Sequence, residues 1–134
     1  MPKYSLAAIL VAGEAERFYS GLSVLVATAA DGKPCAGLAA FGALDLMLAD
    51  DLLRRAQEPD ATPSLSWAGR EVFAASLTEL RDTALSLESL SLYACSASVE
   101  AMAVTSAAVE ELLAGVMSTP SFLRETAGAP LLHI

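Results

Sequence analysis

The stretch Tyr4-Ser5-Leu6-Ala7-Ala8-Ile9-Leu10-Val11 is almost continuously apolar, and a segment with helical spacing follows it at once. Continuous apolar character is typical of a strand that is covered on both faces of a sheet. In residues 14–30, apolar side chains recur at the spacing of one helix face, at Phe18, Leu22, Leu25 and Ala29. Asp31-Gly32 then supplies a glycine where a helix end needs a left-handed residue. The opening of the chain therefore predicts a buried strand followed by a helix.

The rest of the chain repeats this alternation of short apolar runs and helical segments. Further strands are predicted at residues 34–40, 90–94, 115–117 and 130–134. Further helices are predicted at residues 42–55, 73–87 and 106–114, with a short one through Val99 and Met102 after the segment 95–98. A last helix is predicted from the capping pair Thr119-Pro120 to Ala127, with a stop at Gly128. Because each parallel crossover needs a helix, the alternation predicts one α/β domain over residues 1–134, a three-layer sandwich with a mainly parallel sheet and helices on both faces.

Residues 57–69 break this pattern, since they contain two prolines and several turn-forming residues. They are predicted to form the one long loop of the domain. A loop of this length is often a functional lid or an oligomer contact, but a tolerated surface insertion explains it equally well. Trp67 within it would either pack over a neighbouring subunit or anchor the loop itself.

Composition narrows the classes of function. The chain has 134 residues, 54% of them hydrophobic and 18% charged, which is enough apolar material for a packed core. Eight Lys and Arg against 16 Asp and Glu give a net charge of −8. Nucleic acids and anionic membranes favour basic surfaces, so neither is expected as a partner. Two cysteines are too few for a disulfide scaffold or a four-cysteine zinc site.

The apolar opening could also be a weak signal peptide. Only Lys3 precedes it, however, and Glu14 and Glu16 end it, so a buried strand is the better interpretation. No apolar run approaches the roughly 20 residues that cross a bilayer. A cytoplasmic, reducing location with both thiols free is therefore expected.

Functional sites in open α/β sheets lie in a crevice at the carboxyl ends of the strands. The predicted strands deliver four short segments there: residues 12–14, 41–42, 95–98 and 118–119. Of these residues only Cys95 is a strong nucleophile, and it is placed where a strand passes into a helix. The free N–H groups and the dipole of such a helix end stabilise a thiolate or another small anion. The alternative is that Cys95 is simply a small buried residue, which is the favoured interpretation for Cys35.

Other catalytic schemes lack the necessary residues. The single histidine, His133, is expected at the surface near the end of an edge-like strand. One histidine and scattered carboxylates make no recognisable metal site. The segment Gly13-Glu14-Ala15-Glu16 has neither the lysine of a phosphate loop nor the spacing of a dinucleotide motif. Neither a metal nor another cofactor is expected.

The segment Tyr93-Ala94-Cys95-Ser96-Ala97-Ser98-Val99-Glu100-Ala101-Met102, with Gly115-Val116-Met117 and the closing Leu131-Leu132-His133-Ile134, resembles the DsrE/DsrF-like proteins. The resemblance covers nearly the whole chain in layout, and its specific part is the Ala-Cys-x-Ala-Ser loop after a central strand. It implies a small α/β sandwich with a flavodoxin-like layout that assembles into trimers or hexamers. It also implies that Cys95 carries sulfur as a persulfide. The chain departs from many members of the family at Ser96 and Ala103, where they have glycine.

Two hypotheses follow. In the first, the protein is a cytoplasmic sulfur carrier that resembles the sulfurtransferases and exchanges sulfur with donor and acceptor proteins. Cys95 is then the reacting residue, and the loop that stabilises its anion consists of Ser96, Ala97, Ser98, Gly13 and Ser118. In the second, the protein is a non-catalytic oligomer that binds a small ligand or a protein. An exposed thiol in a pocket favours the first hypothesis, and a thiol sealed in the core favours the second.

Overall fold

The computed structural model describes residues 2–134, which form five strands and seven helices. The strands are β1 (Leu6–Leu10), β2 (Cys35–Ala39), β3 (Leu90–Cys95), β4 (Gly115–Met117) and β5 (Leu131–His133). The helices are α1 (Ala15–Ala30), α2 (Phe41–Leu48), α3 (Leu52–Arg55), α4 (Trp67–Ser86), α5 (Ser96–Ala101), α6 (Ser106–Leu112) and α7 (Thr119–Glu125). None of these helices combines the length and the apolar character that crossing a bilayer requires.

The five strands form a single sheet in the order β4-β3-β2-β1-β5, and every neighbouring pair is parallel. The α/β class, the parallel sheet and the flavodoxin-like three-layer layout are therefore confirmed. The longest strand, β3, lies between β2 and the three-residue edge strand β4. Its last residue, Cys95, is in register with Met117, the last residue of β4.

The strand order explains which face of the sheet each helix covers. The steps from β1 to β2, β3 and β4 all run in one direction, whereas the step from β4 to β5 returns across the whole sheet. Because parallel crossovers are right-handed, the first three place their helices on one face and the last places α7 on the opposite face. Helices on both faces are confirmed, but they are distributed very unequally.

Two separate apolar clusters show this inequality. The larger cluster packs side chains of α1, α2, α4 and α6 against one face of the sheet, including Phe18, Leu44, Leu77 and Val109. The smaller one lies on the other face, where Phe122 of α7 packs with four strand residues and two residues outside the strands: Ala7, Ala36, Leu38 and Cys95, and Tyr4 and Ala40. We call this second group the α7 cluster.

The prediction of one helix over residues 42–55 is wrong. The structure has two helices there, α2 and α3, with an extended residue at Ala49 between them. The guanidinium of Arg81 on α4 donates hydrogen bonds to the carbonyl oxygens of Leu46 and Ala49. These bonds satisfy carbonyl groups that a helix end leaves free, so a distant arginine stabilises the end of α2.

Two helix starts also differ from the prediction. The loop predicted at residues 57–69 ends earlier, because α4 begins at Trp67 and the Ser66 hydroxyl accepts a hydrogen bond from the Gly69 N–H at 3.1 Å. Likewise, the cap of α7 is Ser118 and not Thr119. The two predicted glycine stops are confirmed, since Gly32 and Gly128 have φ angles of 79° and 86°.

Candidate functional site

The carboxyl ends of β3 and β4 lie side by side, and the segments that follow these two strands turn toward opposite faces of the sheet. After β3 it turns into α5, whose Val99 packs against the larger cluster, and after β4 it turns into α7 on the other face. Neighbouring strands whose connections diverge in this way open a crevice at their carboxyl ends, which is where ligands bind in open α/β sheets. Cys95 is the last residue of β3 and therefore lies at this point of divergence.

Cys95 is also the residue that precedes the first turn of α5. Its side chain belongs to the α7 cluster and is 5% exposed. The thiol therefore has only a narrow opening to solvent.

Two opposing effects act on the acidity of Cys95. Burial raises the pKa of the thiol, because a thiolate loses hydration in an apolar cluster. The N–H and hydroxyl of Ser98, the N–H of Ala97 and the hydroxyl of Thr119 act in the other direction and together bring the pKa below its ordinary value. The neutral thiol makes no capping hydrogen bond, so these donors act by stabilising the thiolate.

A strained loop borders the site on the β2 side. Phe41, the first residue of α2, has a φ of 45°, which residues other than glycine rarely adopt. Its backbone N–H donates a hydrogen bond of 2.9 Å to the hydroxyl oxygen of Ser98, and the residue is 48% exposed. Gly42 follows, and a side chain there would lie 2.5 Å from the Cα of Gly13. Only glycine allows the two loops to approach so closely.

The structure brings together some of the residues predicted for the site. Ala97 and Ser98 lie beside the sulfur, as described above. Ser96 is the half-buried first residue of α5 and is not among the groups that shift the pKa of Cys95. Gly13 packs against Gly42 instead. The hydroxyl of Ser118 is engaged in α7, where it bonds to the N–H and hydroxyl of Ser121 at 3.2 and 3.0 Å.

Sequence reasoning placed Phe41 and Thr119 at the carboxyl ends of predicted strands, but it did not include either of them among the residues of the site. A signal for Thr119 existed, because it lies two residues after Met117, whose strand partner is Cys95. Reading that signal requires knowing that β4 is the neighbour of β3. No pattern in the sequence marks the unusual backbone of Phe41. His133 is exposed on the edge strand β5, as predicted.

Cys35 provides a reference for Cys95. It is the first residue of β2, is fully buried in the larger cluster and donates a hydrogen bond to the carbonyl oxygen of Lys33 at 3.4 Å. Burial raises the pKa of Cys35, although the nearby charge of Lys33 partly opposes this effect. The preference for a buried structural role at this position is therefore supported.

Comparison with protein-family models finds no match to this chain, and comparison with curated proteins finds none either. The resemblance to DsrE/DsrF-like proteins therefore rests on residues 93–102, 115–117 and 131–134 and on the order of the elements.

Proposed function

We propose that this protein is a sulfur carrier in which Cys95 holds sulfane sulfur as a persulfide. The observation that supports this most is the position of Cys95 at the diverging ends of β3 and β4, together with the donors that lower the pKa of its thiol. The resemblance of residues 93–102 to the DsrE/DsrF-like loop points to the same residue. A reducing compartment such as the cytoplasm would keep the thiol available.

The proposed transfer needs no group other than a thiolate. The Cys95 thiolate attacks the outer sulfur of a donor persulfide, the sulfur–sulfur bond of the donor breaks, and the donor leaves as a thiolate. The Cys95 persulfide that forms keeps the proton of the transferred sulfur. An acceptor thiolate then attacks that outer sulfur and releases Cys95 as a thiolate. The two steps are balanced and involve no net oxidation.

Loading with a sulfane-sulfur donor tests the proposal. Intact-mass measurement should show a gain of about 32 Da, one sulfur atom, on the wild-type protein. Cys95→Ser should lose this gain, and the matched variant Cys35→Ser should keep it. A small alkylating reagent at pH 7 should likewise modify Cys95 before Cys35. Loading of neither cysteine, or preferential loading of Cys35, would contradict the proposal.

One observation favours the second hypothesis, a non-catalytic module that binds a ligand or a protein. Cys95 is only 5% exposed, and a sealed thiol cannot meet the bulky persulfide of a donor protein. Under this alternative the thiol packs within the α7 cluster and remains unmodified by donors. The loading experiment therefore separates the two hypotheses.

We also propose that the chain self-associates, and the resemblance points to a trimer or hexamer. One face of the sheet is covered by the single seven-residue helix α7, and Leu131 on the edge strand β5 is 46% exposed. Self-association would remove such apolar surface from water. Light scattering at micromolar concentration should give a multiple of 13.8 kDa. We expect Leu131→Lys to lower that mass, whereas Val24→Lys on α1 should not. A monomeric wild type would contradict this proposal.

A further inference from the structure

The buried hydroxyl of Ser98 lies between a strained backbone and a thiol. Ser98 is 0% exposed, and its oxygen accepts the 2.9 Å hydrogen bond from the Phe41 N–H. Ser98 is the third residue of α5, where a backbone N–H can reach the side chain that precedes the helix, here that of Cys95. Its hydroxyl is also among the groups that lower the pKa of the Cys95 thiol, so it lies near the sulfur as well. One hydroxyl therefore faces both the β2–α2 loop and the end of β3.

The direction of the hydrogen bond between Phe41 and Ser98 determines whether the Ser98 hydroxyl can donate a second hydrogen bond. A serine hydroxyl has one proton to donate and two lone pairs that accept. Because the Phe41 N–H is the donor in their bond, the proton of Ser98 remains free to be donated. The Cys95 sulfur, when ionised, is the acceptor that would gain most from it, since hydrogen bonds to charged groups are the strong ones.

We propose that Ser98 is a positioning residue that couples the left-handed backbone of Phe41 to the ionisation of Cys95. This inference rests on the proposed function only in taking Cys95 as the reacting group. The bond from Phe41 fixes the orientation of the Ser98 hydroxyl, and the oriented hydroxyl stabilises the Cys95 thiolate. The same bond holds Phe41 at a φ of 45°, with the residue exposed at the carboxyl edge of the sheet.

The pH profile of Cys95 alkylation in Ser98→Ala tests the coupling. We expect the midpoint to move to higher pH and the rate at pH 7 to fall about tenfold, because the thiolate loses a hydrogen bond to a charged group. Hydrogen exchange at the Phe41 amide should become faster in the same variant. Ser98→Thr, which keeps a hydroxyl, should restore both readouts, and the neighbouring control Ser96→Ala should change neither. Faster Phe41 exchange with an unchanged pH profile would reduce Ser98 to a structural role and overturn the proposal.

A measurement on the unmodified protein keeps the proposal testable if Ser98→Ala does not fold. The nitrogen chemical shift of the Phe41 amide should titrate with the same midpoint as Cys95 alkylation, and this titration should vanish in Cys95→Ser. A Phe41 amide that does not respond to the ionisation of Cys95 would overturn the proposal. Failure of persulfide loading would leave both readouts intact, so it would contradict only the proposed function.

Discussion

Cys35 and Cys95 are the same residue type on neighbouring strands of one sheet, and both are buried, yet they differ in the hydrogen-bonding groups that surround the thiol. Cys35 begins β2 and points into the larger cluster, whereas Cys95 ends β3 and points into the α7 cluster. Burial raises the pKa of both thiols. Only at Cys95 do hydrogen-bond donors outweigh burial and lower the pKa.

This comparison shows that burial alone does not decide whether a cysteine is reactive. Cys35 lies at the amino end of β2, where the carbonyl oxygen of Lys33 accepts a hydrogen bond from the neutral thiol. Cys95 lies at the carboxyl end of β3, where a helix begins and its N–H donors stabilise the thiolate. The end of the strand thus determines which form of the thiol is favoured.

The largest expected loss of stability comes from removing a buried phenylalanine, and its consequences should differ between the two clusters. Phe122 belongs to the α7 cluster with Cys95, and Phe18 belongs to the larger cluster with Cys35; both phenylalanines are almost fully buried. Phe122→Ala and Phe18→Ala should each lower the free energy of unfolding by about 3–5 kcal/mol in urea titrations. Under conditions where both variants remain folded, we expect Phe122→Ala to accelerate alkylation of Cys95 without affecting Cys35. Equal acceleration of the two cysteines would show that the clusters do not open independently.

A smaller loss of stability is expected from Gly42→Ala, which should affect the surroundings of Cys95 but not those of Cys35. The added methyl group would lie 2.5 Å from the Cα of Gly13, so the β2–α2 loop must move. Overpacking of this kind costs about 1–3 kcal/mol of stability. We expect the displaced loop to change the alkylation rate of Cys95 and to leave that of Cys35 as in the wild type. The control is Gly69→Ala on α4, where the added methyl group meets no backbone that closely. An unchanged Cys95 rate in Gly42→Ala would mean that the loop does not influence the thiol.

The pH dependence of stability should have opposite signs at the two cysteines. The lowered pKa of Cys95 means that its stabilising contribution grows as pH rises from its folded pKa to the unfolded value of about 8.5. The raised pKa of Cys35 means that its contribution is present below about pH 8.5 and is lost as pH rises toward its folded pKa.

Urea titrations of Cys95→Ala and Cys35→Ala between pH 6 and pH 10 would measure these contributions. The free energy of unfolding of the wild type minus that of Cys95→Ala should increase with pH. The same difference for Cys35→Ala should decrease above about pH 8.5. The slope for a single group cannot exceed about 1.4 kcal/mol per pH unit. Slopes of the same sign would refute the contrast between the two sites.

Much of the fold could be predicted from the sequence because the relevant patterns are local. The apolar run in residues 4–11 and the spacing from Phe18 to Ala29 predict a strand and a helix without reference to the rest of the chain, and the glycine at position 32 predicts where that helix ends. The misplaced starts of α4 and α7 depend on the nearby caps Ser66 and Ser118, whereas the error at the end of α2 arose because a distant group, Arg81 on α4, stabilises it.

The sequence by itself determined the α/β class, the alternation of elements and the choice of Cys95 as the residue to consider, since each follows from neighbouring residues. Only the tertiary structure decided that β3 lies beside β4, and hence that Thr119 approaches the sulfur. It also decided that Phe41 bonds to Ser98, a residue 57 positions away. The physical reason is that strand order and crossover direction are set by long-range packing, and these determine which loops meet at the edge of the sheet.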